Sequence, residues 1–214
     1  MAPAPKHREA IVEAALRLFR RSGYAASGMN DIVEASGAPK GSVYHYFPEG
    51  KASIAVAAIE LAGRRAVATL SALTGETRTS GEFLEAYAAR LGGWLSKSGF
   101  RDGCPITTVV LELSPQDRAV TAAAREAFSA RRQILARKLV EDGWSDAEAK
   151  DLAALAISAI QGALVQARLE RSTQPMTVVA KSLAGVTARG GKTSRSNNSK
   201  ERSTVDRTVA PRGD

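Results

Sequence analysis

Apolar residues recur at every third or fourth position along most of the chain, separated by Ala, Glu, Arg and Leu, and no stretch alternates as a half-buried strand would. The pattern predicts an all-α fold. Ile11, Ala15, Leu18 and Phe19 give one apolar face to a helix from Pro5 to about Arg21, closed by Ser22-Gly23. Ser27 is placed to cap a short helix whose buried side is Met29, Ile32 and Val33 and which stops at Gly37. Pro39 opens a second short helix, PKGSVYHYF, in which Val43 and Phe47 face inward and Lys40, Gly41, Ser42, Tyr44 and His45 face outward.

Pro48 begins a longer helix to about Leu73, with Ile54, Ala58 and Leu61 on one face. Ser80 to Lys97 forms another, in which Gly92-Gly93 introduces a kink. After a turn from Ser98 to Gly103, a short buried helix spans Pro105 to Leu113, and Ser114-Pro115 starts a long one that Gly143 ends. Ser145-Asp146-Ala147-Glu148 is a capping box for a helix to about Arg171, and Pro175 opens the last one, to about Gly185. Leu152, Leu155, Ala156, Ala159, Ile160, Ala163 and Leu164 form a small-residue face suited to close helix packing.

Charge refines this outline. The 214 residues carry 30 Lys and Arg against 22 Asp and Glu, a net charge of +8 that favours a polyanionic partner. Residues 1–65 account for +3 and residues 66–184 for +1, so half the excess falls in the last thirty residues. That stretch is rich in Gly, Ser, Thr and Arg and poor in large apolar side chains, which predicts a disordered basic tail from 188 to 214. The single cysteine, Cys104, excludes an internal disulfide and any multi-cysteine metal site, and reads as a small buried hydrophobe. No run of about 18 apolar residues occurs and the N-terminus has no signal core, so a cytoplasmic protein without a membrane partner is expected. His7 and His45 alone do not suggest a metal site, and no phosphate-binding loop or nucleophile–base pairing is readable, so neither a cofactor nor an enzymatic activity is expected.

The two short helices joined by Gly37-Ala38 behind a longer one have the spacing of a helix-turn-helix, whose second helix enters a DNA major groove. Lys40 can donate to guanine or phosphate, Gly41 allows close backbone approach, Ser42 can bond either, and Tyr44 and His45 can donate to phosphates. Lys51 adds a cation at the start of the next helix. Spacing alone leaves the matter open, because glycine-broken helix pairs also occur in plain bundles. An adaptor for a protein partner is the alternative reading of the C-terminal half. Phe83, Trp94, Phe128 and Trp144 read as core by default, yet in a domain poor in rings Trp94 and Phe128, with Leu91, are candidate walls of a ligand pocket; Gln161, set among apolar residues, requires a partner from the pocket, a second subunit or a ligand. Arg131-Arg132 and Arg137-Lys138 read as a solvated face.

IVEAALRLFRRSGYAASGMNDIVEASGAPKGSVYHYFPEGKASIAVAAIE, with its Phe19, Gly23, Tyr24, Ile32, Gly37, Lys40-Gly41-Ser42, Tyr44-His45-Tyr46-Phe47 and Lys51, strongly resembles the DNA-binding domain of the TetR/AcrR family of bacterial transcriptional regulators. FRDGCPITTVVLELS, from Phe100 to Ser114, resembles the LmrA/YxaF-type subgroup. The resemblance implies a DNA-binding domain over 1–50, a ligand-binding and dimerising domain over 51–187 with a connecting helix at about 49–73, and a homodimeric repressor released from its operator by a small lipophilic or aromatic inducer. It also implies phosphate contacts from Ser27, Tyr44, His45 and Lys51, base-edge contacts near Lys40, Gly41 and Ser42, and a four-helix dimer interface from the long helices after Ser114 and Ser145. Two departures stand out: Pro39 replaces a common Ser or Thr and removes one phosphate contact, and Glu49-Gly50 lengthens the link to Lys51. Deleting residues 189–214 should weaken binding to all DNA sequences alike and flatten its salt dependence while leaving site preference intact, as titrations at several salt concentrations will show.

Overall fold

The computed structural model describes residues 5–188, which contain nine helices and no strand. They are α1 (Pro5–Ser22), α2 (Met29–Ser36), α3 (Lys40–Tyr46), α4 (Lys51–Glu76), α5 (Ser80–Lys97), α6 (Pro105–Leu113), α7 (Arg118–Glu141), α8 (Asp146–Glu170) and α9 (174–188). The expected basic tail lies outside the described residues.

Most ends fall where local chemistry puts them. Thr79 caps α5 by accepting from Glu82 N. At α8, Ser145 Oγ accepts from Glu148 N; the Glu148 carboxylate in turn accepts from Ser145 Oγ at 2.5 Å and from Ser145 N at 3.2 Å, and these two bonds, the hydroxyl's first, hold the Glu148 carboxyl below its ordinary pKa. Three starts differ from expectation. Gly28, not Ser27, is the N-cap of α2: Asp31 Oδ2 accepts from Gly28 N at 2.7 Å, and Ser27 Oγ instead donates to Gly23 O at 2.7 Å. The link from Pro48 to Gly50 is a turn, closed by Gly50 N donating to Phe47 O, so α4 begins at Lys51. α7 begins at Arg118 because Asp117 accepts from Val120 N at 2.9 Å, three residues beyond the expected Ser114-Pro115 start. Nor is α5 interrupted at Gly92-Gly93; a β-carbon on Gly92 would stand 3.3 Å from Thr173 Cγ2, so this glycine sits where the turn before α9 passes close by.

Two hydrophobic cores organise the nine helices. The first gathers Ile11 and Phe19 of α1, Ile32 of α2, Val43 of α3 and the first half of α4, and it extends to Ile106 and Val109 of α6 and Val120, Ala124 and Ala127 of α7. The second joins Leu70 and Leu73 of α4 to α5, the second half of α7, α8 and Met176, Ala180 and Leu183 of α9. Helices α4 and α7 thus traverse both cores. They meet closely at Gly63, where a β-carbon would stand only 3.0 Å from Ala127 Cβ. The expected boundary at residue 50 therefore cuts through a core.

A polar seam reinforces the join. Glu112 of α6 accepts from Tyr24 N and Ala25 N at 2.7 and 2.6 Å, and Gly103 N donates to Arg20 O at 2.7 Å. Gly23 is required here twice over, by its φ of 88° and because a β-carbon would lie 2.6 Å from Glu112 Oε1. Asp102, 2% exposed, is held between two arginines of α1, with Arg20 Nε 2.9 Å and Arg21 Nε 2.6 Å from its oxygens. Replacing Asp102 by Ala should lower unfolding stability by about 2 kcal/mol, less than for a fully buried pair because both arginines keep some solvent. A urea titration at neutral pH that leaves the midpoint unmoved would refute this role.

Candidate functional site

Two places carry candidate chemistry, the outer side of α3 and a cavity enclosed by α1, α4, α5, α7 and α8. In the first, α2 ends at Gly37, whose φ of 63° turns the chain through Ala38 and Pro39 into α3. Pro39 is the N-cap of α3 and its carbonyl accepts from Ser42 N at 2.8 Å. Val43 and Phe47 are buried as expected, and Arg8 of α1 stacks over the Phe47 ring at 5.5 Å. With that side anchored, Lys40, Gly41, Tyr44 and His45 stand exposed together. The His45 ring meets Tyr46 edge to face at 5.2 Å. No acidic side chain occurs on α3, so the face offers donors and cationic groups without competing carboxylates.

The remaining expected contacts sit differently. Ser42 is 6% exposed, its hydroxyl turned to His7 Nδ1 at 3.3 Å, which corrects the expectation that it faces outward. Ser27 is 1% exposed and its hydroxyl is engaged internally. Lys51 is half-buried: its Nζ donates to Tyr24 O at 3.0 Å and lies 4.0 Å from the centre of the Tyr24 ring. Tyr24 in turn packs on Phe19, and burial, then the charges of Asp117 and Glu112, raise its phenol pKa, so the ring is neutral. Lys51 thereby ties the start of α4 to the loop between α1 and α2.

The cavity, of about 200 Å³, opens between α1, α4, α5, α7 and α8. Leu91, Trp94 and Gln161 line it, while Phe128 lines an adjoining groove beside α6. Gln161 has its partner within the chain, since Thr107 Oγ1 donates to Gln161 Oε1 at 3.1 Å. Cys104, partly buried at the N-cap of α6, joins the wall together with Tyr87, whose pKa burial raises. Arg20, Arg65 and Arg131 also line the space. Arg131 was expected in solvent but is 4% exposed, and Lys138 is likewise buried. Both fall in register with Ala124, Ala127 and Ile134 on the inward face of α7, a periodicity that could have revealed them. Among the described residues no three His, Cys, Asp or Glu side chains converge as metal ligands.

Comparison with known proteins agrees with both halves. Residues 11–58 match the model of bacterial regulatory proteins of the tetR family, and residues 80–182 match that of the transcriptional regulator LmrA/YxaF-like C-terminal domain. The "uncharacterized HTH-type transcriptional regulator Rv0196" of Mycobacterium tuberculosis is 34% identical over 181 residues, covering 82% of this chain and 91% of that protein. The HTH-type regulator YxaF of Bacillus subtilis is 29% identical over 176 residues, covering 82% and 92%. The crystal structure of a regulatory protein TetR from Rhodobacter sphaeroides superposes with a TM-score of 0.74 at 23% identity, over 83% of this chain and 97% of that one. The chain belongs to the TetR family of bacterial transcriptional regulators, with an LmrA/YxaF-like C-terminal domain, and is a DNA-binding regulator rather than an enzyme.

Proposed function

We propose that this regulator is a cytoplasmic repressor that holds a pseudo-palindromic operator as a homodimer and lets go when a small lipophilic or aromatic molecule enters the C-terminal cavity. The observation that carries the reading is the outer side of α3, where Lys40, Gly41, Tyr44 and His45 stand exposed on an acid-free helix. Lys40 and Gly41 are assigned to base edges, and Tyr44 and His45 to phosphates. Lys51 spends one of its three donors on Tyr24 O and keeps two for a phosphate. Ser27 and Ser42, both turned inward, are left out of this contact set.

A helix as short as α3 reads only a few base pairs, so useful specificity calls for two copies. The second copy is assigned to α8. This helix is long and apolar enough by composition to cross a membrane, yet its apolar residues divide between two opposite faces. Ala156, Ile160, Ala163 and Leu164 pack into the second core, whereas Leu155, Val165 and Leu169 stand exposed in line with Gly162. A helix apolar on both sides is covered on both sides, and a second α8 supplies a matching surface. The exposed side of α7 carries Arg125, Arg132, Arg137 and Glu141 and is a poor core for such a contact, and Ala163, 3% exposed, belongs to the protomer interior.

Ligand release has a physical route. Arg20 lines the cavity, pairs with Asp102 and stacks over Trp94 at 5.7 Å, while α4 and the Glu112 seam connect the same region to the α1–α2 loop. The ligand must bind the released conformation more tightly than the bound one. Footprinting on the promoter beside its own gene should show protection of a short inverted repeat, and Lys40→Ala should reduce that affinity by about tenfold. Leu169→Glu should yield folded monomers in light scattering with operator binding lost; a dimer of unchanged operator affinity would overturn the α8 assignment.

A further inference from the structure

Arg131 is a cation inside the protein that no carboxylate among the described residues answers. It is 4% exposed, its Nε has no hydrogen-bond partner, and it forms no ion pair with any described residue. Arginine does not escape by losing its proton. The Phe128 ring, 5.1 Å from the guanidinium carbon, eases the charge but accepts none of its in-plane N–H bonds. The other charged side chains that line this cavity or are buried among the described residues are matched: Arg20 pairs with Asp102, Arg65 with Glu13, and Lys138 with Glu141. Among the described residues no carboxylate lines the cavity that Arg131 faces.

We infer that the cavity is built for a small carboxylic acid, whose carboxylate meets the Arg131 guanidinium and whose apolar body lies against Trp94 and Leu91. The planar fork of an arginine matches two carboxylate oxygens, and the low dielectric around a buried one makes the pairing strong and selective for the anion. The Tyr87 phenol, neutral because burial raises its pKa, and Gln161 stand in the same wall as further donors. A space of about 200 Å³ takes a single ring or a short acyl chain and excludes a nucleotide-bearing thioester. A buried charge that the chain itself leaves unpaired is also a cost to stability, which a functional role explains and a structural one does not.

The inference rests on the ligand-responsive reading above, and the test separates the two. Titration calorimetry on the full chain with benzoate, phenylacetate and hexanoate, each set against its neutral amide, should find at least one acid that binds and an amide at least about tenfold weaker. R131M should lose that acid affinity and raise the melting temperature of the ligand-free protein, while R131K retains part of the binding. Acids and amides that bind alike, no acid binding at millimolar concentration, or an R131M protein that melts lower with acid affinity intact would each overturn the proposal. The acid-against-amide contrast is read on the unaltered protein and decides even where R131M does not fold. The same titrations repeated on protein bound to operator divide the outcomes. An acid that binds without loosening the operator leaves the anion site standing and refutes ligand release; a neutral aromatic that loosens it where no acid binds does the reverse.

Discussion

Where α4 crosses α7, Gly63 and Ala127 leave no room for another methyl group, and both helices run on from that point into each of the two cores. Close packing of this kind is not continuously deformable, so the halves of the molecule are related by a contact that either holds or shifts as a unit. The seam at Glu112 and Asp102 is consistent with the same geometry: Glu112 of α6 accepts from the backbone N–H groups of the loop after α1, and the buried Asp102 carboxylate ties the two partly exposed arginines at the end of α1 to the turn before α6. A shift of α6 or α7 therefore reaches the first three helices through two connections.

The basic side chains sort by what they meet. Those on α3 meet solvent, Lys51 meets a carbonyl and an aromatic face, Arg20 and Arg21 share Asp102, and Arg131 meets only a ring and a cavity. A net charge of +8 conceals this division, because the residues that count are distinguished by partner and burial rather than by number. Arg131 sits in a medium where each missing bond is expensive, and the exposed basic groups in water where affinity is tuned by salt.

Most of the architecture was legible in the sequence because its signals are local. The bounds of α5, α6 and α8 are written in consecutive residues, as caps, prolines and glycine turns, and the helical periodicity between them leaves no competing strand. Sequence and structure part where two local signals compete or where a tertiary partner decides. Ser114-Pro115 and Asp117 both announce a helix; Ser114 instead accepts from Thr121 Oγ1, and Asp117 takes the cap. Ser27 and Ser42 are ordinary surface residues by type, yet each turns its hydroxyl to a partner that only the fold brings near. Arg131 reads as exposed by its charge, yet its register with Ala124 and Ala127 sets it on the inward face of α7. Three of the four pocket residues proposed from apolar context reached one cavity, and the fourth, Phe128, supports Arg131 from beneath.

The shared core has a consequence for how such proteins can be recombined. Ile106, Val109, Val120, Ala124 and Ala127, though distant in sequence, complete the interior of the first three helices. A chimaera joined at residue 50 would strip α1–α3 of these walls and set foreign side chains against Ile32 and Phe19, whatever the quality of the linker. The exchangeable unit is the HTH together with the faces of α6 and α7 that it rests on, so new specificities assembled from this scaffold must carry both across the junction or redesign the two surfaces as one.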